Sequence, residues 1–162
     1  MQALNAKSRR LIGAALAVVT LGTAPLAVSH LVDEEPMQSY RQSYFTLLAM
    51  NFGPIAGMLK GEMPWDDAKV VEFANTFAAI AGTDVTKAFP PGSDKGTTRA
   101  KPEIWENTED FAEKFANLQK AALGLKAAAA TGDKATIGEA VKATGGACKA
   151  CHDEYKAKNY LY

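Results

Sequence analysis

The sequence predicts an all-α fold, an antiparallel up-and-down bundle of four helices. In four long segments apolar residues recur at spacings of three and four, which is the periodicity of an amphipathic helix. No segment shows the strict alternation that is typical of a half-buried strand. Two short turns and one longer loop join the four segments, and such connections place successive helices antiparallel.

The first helix is predicted from about Asp33 to Lys60. Acidic residues and Pro36 give it an N-terminal signal, and Gly61 is expected to end it. Pro54 lies inside this segment and is expected to kink the helix or open its last turns. The apolar stripe consists of Tyr44, Leu48, Phe52, Ile55 and Leu59.

The second helix is predicted from about Trp65 to Ala81, with Val70, Phe73, Phe77 and Ile80 as its stripe. A long loop follows, from Gly82 to Lys101. A loop of this length is uncommon in a compact domain, so we expect it to pack against the site or to carry function. Phe89 is its expected anchor.

The third and fourth helices are predicted at 102–130 and 133–158, with Asp133 as the N-cap of the fourth. The seam of the third consists of Ile104, Thr108, Phe111, Phe115, Leu118, Ala122, Leu125 and Ala129. The seam of the fourth consists of Ile137, Val141, Thr144, Cys148, Cys151 and Tyr155.

Composition excludes several classes of protein. The 162 residues suit one domain, and 18 Lys and Arg balance 18 Asp and Glu. This balance excludes a strongly basic nucleic-acid binder and a highly charged disordered chain. Two cysteines are too few for a disulfide-dense scaffold.

The first 29 residues are predicted to be a signal peptide. Lys7, Arg9 and Arg10 precede an uncharged run over 11–31, and small residues lead to an expected cut after Ser29. A membrane anchor is the alternative, since about 20 apolar residues can span a bilayer. Pro25 and the weakly hydrophobic composition favour cleavage. The mature domain, 30–162, then carries 15 Lys and Arg against 18 Asp and Glu and is expected in a bacterial periplasm.

The chemistry of the chain is concentrated in one pentapeptide. Residues 148–152 read Cys-Lys-Ala-Cys-His, the attachment pattern of c-type haem. Residues three and four apart share a face of a helix. The thiols of Cys148 and Cys151 can therefore form thioethers to the two haem vinyl groups while His152 reaches the iron.

Three other sites could use these residues. A thioredoxin-like C-x-x-C needs a βαβ context, which the sequence lacks. A structural zinc site needs four ligands, and His30 is the only other histidine. A disulfide within one helical turn would be strained.

Four stretches of the sequence resemble the cytochrome c′ family, the high-spin class of c-type cytochromes. They are 40–43 (Tyr-Arg-Gln-Ser), 51–54 (Asn-Phe-Gly-Pro), 102–105 (Pro-Glu-Ile-Trp) and 146–153 (Gly-Ala-Cys-Lys-Ala-Cys-His-Asp). The resemblance covers nearly all of the mature chain. This family is itself an established example of the up-and-down bundle, so the resemblance and the periodicity imply the same fold, here with a covalently attached haem.

The resemblance implies that Phe45, four residues after Arg41, faces the haem. Low-spin relatives have a ligating Met on this helix, whereas Phe cannot coordinate iron. No Met follows the haem motif, which excludes an ordinary class I cytochrome c. We therefore expect a five-coordinate iron with an apolar, donor-free distal face that favours NO and CO over O₂. The alternative is that Phe45 is simply a core residue.

The resemblance also implies roles around the haem. Arg41 and Gln42 are expected at the haem edge, with Arg41 near a propionate; an exposed helix arginine is the alternative. Phe89 is expected to pack on the haem. Lys156 stands near the proximal face, where the family commonly has Arg, and Thr86 stands where relatives can have Trp.

Two functions follow, neither of them enzymatic. The first is NO buffering or sequestration by a haem protein that would be described broadly as an electron-transfer protein. The alternative is a low-spin-like one-electron carrier in a respiratory chain. A peroxidase is disfavoured because no distal acid–base residue is predicted. The resemblance implies a homodimer through the first two helices, with which Met58, Leu59, Met63 and Trp65 are compatible.

Overall fold

The computed structural model describes residues 35–161. The predicted signal peptide, its cleavage site and the first residues of the predicted first helix lie outside this range. Within it, none of the helices combines the length and the apolar character needed to cross a membrane.

The described chain is helical, and its four long helices confirm the predicted fold class. They are α1 (Pro36–Lys60), α2 (Asp67–Ala81), α4 (Thr108–Ala129) and α5 (Lys134–Tyr155). A single helical turn, α3 (Glu103–Glu106), precedes α4, and a 3₁₀ turn (Val85–Ala88) lies in the long loop.

Side-chain caps and a glycine set several helix ends as the sequence predicts. The carboxylate of Asp66 accepts from the Lys69 amide at 3.0 Å, and that of Asp133 accepts from the Thr136 amide at 2.8 Å. Gly61 ends α1 with φ 76°, a left-handed conformation that glycine adopts without steric cost. Helix α1 runs through Pro54 to its predicted end, so Pro54 does not open the last turns, and the alternative, a kink at Pro54, stays a prediction.

The predicted third helix is broken at Asn107, which has φ −123° and ψ 51°. Both its backbone amide and its side-chain amide donate to the Glu103 carbonyl, at 2.9 and 3.1 Å. This local bonding closes α3 and lets a new helix begin. Thr108 is exposed, so its predicted place on the seam is wrong, whereas the other seven seam residues are buried.

The last helix ends at Tyr155, three residues earlier than predicted. Lys156 leaves the helix and pairs antiparallel with Ala100. Hydrogen bonds from Lys101 N to Tyr155 O (3.0 Å) and from Ala157 N to Arg99 O (2.8 Å) hold the two segments side by side. Pairing with the long loop thus replaces the last helical turn.

The long helices form a ring in which α1 packs on α2, α2 on α4, α4 on α5 and α5 on α1. The main core lies between them and includes Ile55, Val70, Phe77, Leu125 and Ile137. A smaller cluster of Ile104, Phe111 and Tyr155 lies near the end of α5. Helices α1 and α5 share the smallest interface of the ring, and a pocket opens between them.

Candidate haem site

The haem motif occupies the last two turns of α5, beside this pocket. Cys151 and His152 line the pocket, and Cys148 lies one turn earlier, half-buried against the main core. Both thiols are free. Burial raises the pKa of both, that of Cys151 to about 11, so both are neutral thiols at neutral pH.

The pocket has a volume of about 410 Å³, inside the range of roughly 300–1,000 Å³ that is typical of cofactor sites. Helix α1 forms one wall, the end of α5 forms the opposite wall, and the long loop and the tail close the sides. The α1 wall consists of Gln38, Arg41, Gln42, Phe45, Thr46 and Ala49. The remaining lining residues outside α5 are Phe89, Thr98, Arg99, Ala100, Ile104, Phe111, Lys156 and Tyr160.

Most of the side chains that the sequence predicts around the haem line this pocket. Arg41, Gln42, Phe45, Phe89 and Lys156 all line it, and Thr86 does not. These side chains lie beside the cofactor site, and their contacts to the haem itself stay predictions.

Phe45 stands across the pocket from the predicted iron ligand. Its ring centroid lies 6.3 Å from that of His152, with an interplanar angle of 68°. The edge-on ring of Tyr44 packs against it at 5.2 Å and, with the main core behind, fixes its position. Phe45 therefore contributes to the core and to the pocket at once. Thr46 also lines this wall, and the donor-free character of the distal face stays a prediction.

Arg41 is only 4% exposed, which excludes the alternative of an exposed helix arginine. Its guanidinium donates to the carbonyl of Ala88 at 3.3 Å and to Ser93 Oγ and O at 3.1 and 2.8 Å. It also lies over the ring of Phe89, 4.7 Å from the centroid. Burial lowers its pKa. Arg41 thus ties the long loop to α1 from inside the pocket.

Other α1 side chains fasten the same loop. Gln42 Nε2 donates to the Thr97 carbonyl at 2.9 Å, and Gln38 Nε2 donates to the Lys95 carbonyl at 2.6 Å. The Glu35 carboxylate accepts from the Thr97 amide at 2.8 Å. The loop is therefore held as a fixed side of the pocket, as its length suggested.

His152 is the only histidine that the structure describes. Partial desolvation in the pocket and the positive charges of Lys156 and Arg99 hold its pKa below the ordinary value. A neutral imidazole is the form that ligates iron. Among residues 35–161, no three His, Cys, Asp or Glu side chains are grouped so that they could hold a metal ion.

Several pocket residues were not predicted as such. Tyr155 is buried and donates to the Asp110 carboxylate at 2.5 Å; burial, followed by this hydrogen bond, raises the pKa of the phenol. Its position four residues after Cys151, on the same helical face, is a signal that could have indicated it. Arg99 and Tyr160 reach the pocket through the pairing of loop and tail, for which the sequence has no local signal.

The family profile described as "Cytochrome C'" matches residues 37–156. The chain belongs to the cytochrome c′ family. Its cofactor is accordingly one covalently bound haem c, and Cys148 and Cys151 fit the attachment motif. The pocket volume, the two thiols and the imidazole on one helix end suit this group.

Individual relatives agree. Cytochrome c′ of Rubrivivax gelatinosus is 46% identical over 123 residues, which is 74% of this chain and 92% of that protein. The nitric oxide complex of the L16I mutant of cytochrome c prime from Alcaligenes xylosoxidans superposes with a TM-score of 0.69 and 35% identity, covering 76% of this chain and 96% of that one. A cytochrome c′ with an unusual ligand-controlled dimer dissociation superposes with a TM-score of 0.73 and 34% identity, covering 78% and 98%.

Proposed function

We propose that the protein binds NO and CO at a five-coordinate haem iron. The observation that carries the proposal is the α1 wall. Its lining residues offer no Met, His, Lys or Tyr opposite His152, and Phe45 occupies the facing position. None of the four described methionines lines the pocket, and Met50 is 65% exposed.

His152 would hold the iron from the α5 side, and Cys148 and Cys151 would fix the porphyrin in register. When bound, the haem supplies an open coordination position for a diatomic ligand. Phe45 would have to swing aside for a ligand to enter, and the apolar packing behind it resists that motion. The NO complex of the Alcaligenes relative supports the same ligand for this chain.

The selectivity follows from the donors near the ligand. Bound O₂ is stabilised by a hydrogen-bond donor, whereas uncharged NO and CO depend on one less. The amides of Gln38 and Gln42 already donate to loop carbonyls. Phe45 faces His152 on this wall and offers no donor, so we propose that the pocket favours NO and CO over O₂.

An optical titration tests the proposal. The ferrous protein is expected to give a broad high-spin spectrum that changes on addition of NO. Sharp low-spin bands that NO leaves unchanged would overturn it.

A buffering or sequestering role outside the cytoplasm follows if the precursor is cleaved near Ser29, leaving a mature domain of 30–162. N-terminal sequencing of the protein from a periplasmic extract tests both points. An intact Met1 in a membrane fraction would contradict them.

One-electron transfer is a second candidate, because the pocket is open at the surface and His152 itself is exposed. A haem edge in such a pocket would be within reach of a partner. Rapid electron exchange that NO does not alter would favour this role over NO storage. A peroxidase stays disfavoured, since none of residues 35–161 brings a carboxylate or a second histidine to the pocket lining.

We also propose a homodimer formed through the first two long helices, α1 and α2, with an exposed apolar face on α1. Tyr40, Leu47 and Met50 are exposed apolar residues that share one face of this helix. Met58 is buried in the core and cannot contribute, contrary to the earlier expectation, whereas Met63 is exposed. Sedimentation at micromolar concentration should give a dimer that Leu47→Glu converts to monomer; a monomeric wild type would refute the proposal.

A further inference from the structure

Positive charge is concentrated at one edge of the pocket. Segments 97–101 and 155–161 contain Arg99, Lys101, Lys156 and Lys158 and no carboxylate. The other described residues carry 11 Lys and Arg against 16 Asp and Glu. These four cations, here called the basic rim, thus form a positive patch on an otherwise acidic chain.

The backbone holds the basic rim together. Besides the hydrogen bonds that flank the Ala100–Lys156 pairing, Leu161 N donates to Thr98 O at 3.1 Å and Arg99 Nε donates to Ala157 O at 2.8 Å. None of the four cations forms an ion pair with a carboxylate of residues 35–161. Neighbouring like charges repel, so this arrangement favours an anionic partner.

The haem carboxylates can explain only two of the four cations of the basic rim. Arg99 and Lys156 line the pocket and so lie beside the predicted haem. Lys101 and Lys158 do not line it, and Lys158 is exposed. Lys158 also lies beyond residue 156, where the match to the family profile ends, so the outer half of the rim is not a feature that the profile supplies.

We propose that the basic rim docks an acidic electron-transfer protein, one whose own redox centre is surrounded by carboxylates. Complementary charge steers such a partner to the rim and fixes its orientation beside the haem pocket. In the transfer the partner loses one electron and the ferric iron gains it, and no bond forms or breaks. This inference depends on the covalent haem and not on NO binding.

The test measures binding of the full-length holoprotein to an acidic flavodoxin, with both proteins oxidised and no NO present. Titration calorimetry at low salt compares wild type with Lys101→Glu/Lys158→Glu. The matched control is Lys120→Glu/Lys142→Glu, which reverses two exposed charges away from the pocket. Thermal unfolding establishes that both variants fold.

The rim variant is expected to bind about tenfold more weakly at low salt, with the difference shrinking as salt screens the charges. The control should stay within about twofold of wild type. Equal losses in both variants, or no flavodoxin binding to wild type, would overturn the proposal. Vesicles of phosphatidylglycerol are the second arm, and rim-dependent binding to vesicles without binding to flavodoxin would assign the rim to a membrane instead.

Discussion

The two walls of the pocket differ in chemistry. The α5 wall carries the thiol of Cys151, an imidazole and a phenol that is hydrogen-bonded to Asp110, and the second thiol, of Cys148, lies one turn earlier. The α1 wall places Phe45 opposite the imidazole and directs its polar side chains Arg41 and Gln42 into the loop. The α5 wall can hold a cofactor, whereas the α1 wall leaves the opposite face of that cofactor free. Attachment and ligand selection are therefore properties of separate helices, and they can be changed separately.

The largest change is expected on the α5 wall. Replacing Cys148 and Cys151 together with Ala removes both thioether bonds, so the haem should be lost completely under denaturing conditions. A haem stain after denaturing electrophoresis measures this, with Cys151→Ala, which keeps one thioether, as control. A haem band that survives in the double variant would contradict the assigned attachment.

On the α1 wall, Phe45→Met should convert the iron to a six-coordinate low-spin state, because a thioether would then face His152. NO would have to displace that thioether, which raises the activation barrier for NO binding. Each addition of about 1.4 kcal/mol to this barrier slows binding about tenfold. Stopped-flow absorbance of the ferrous protein measures the rate. Phe45→Leu is the matched control and should stay high-spin; a high-spin Phe45→Met would place the residue away from the iron.

Arg41 joins the α1 wall to the loop, and Arg41→Gln should destabilise the protein by about 2 kcal/mol, the scale of hydrogen bonds to a buried charged group. Urea unfolding of the holoprotein measures the loss. Arg41→Lys keeps the charge without the planar fork and should recover only part of it. A change below about 0.5 kcal/mol, the range of ordinary surface substitutions, would mean that these bonds do not hold the loop.

The smallest expected effect is on the pKa of Asp110, the carboxylate that accepts the Tyr155 hydrogen bond beside the α5 wall. Hydrogen bonding from Tyr155, followed by the Lys114 ammonium, lowers the pKa of Asp110. The hydrogen bond and the ion pair of the ionised carboxylate therefore stabilise the fold above the ordinary carboxyl pKa of about 3.9, and this contribution is lost as the pH falls through the lower folded value. Tyr155→Phe should raise the pKa of Asp110 and make stability less sensitive to acid.

Carboxyl ¹³C titration of Asp110 measures this shift directly. Lys114→Gln, which removes only the ion pair at 3.2 Å, should raise the pKa by less. An unchanged pKa in Tyr155→Phe would exclude the phenol as the main cause.

Features that depend on local pattern could be predicted from the sequence. The seam of α4 beyond Thr108, the cap at Asp133 and the haem motif each depend on residues within a few turns of one another, so periodicity and spacing suffice. The break at Asn107 escaped prediction because its flanking apolar residues continue the helical spacing. A side-chain amide that competes for the Glu103 carbonyl decides the outcome instead.

Features made by distant segments could not be predicted. The early end of α5 results from pairing with residues 98–101, more than 50 positions away. The same pairing places Arg99 and Tyr160 at the pocket. Arg41 could be located by resemblance, but its partners Ala88 and Ser93 became visible only once the loop was folded onto α1.

The central claim is that the α1 wall leaves the iron without a second protein ligand. Resonance Raman spectroscopy of the ferrous holoprotein, with no ligand added, measures coordination and spin state directly. The account predicts the marker bands of a five-coordinate high-spin haem, together with an iron–histidine stretch from His152. A six-coordinate low-spin spectrum in the wild type would contradict it.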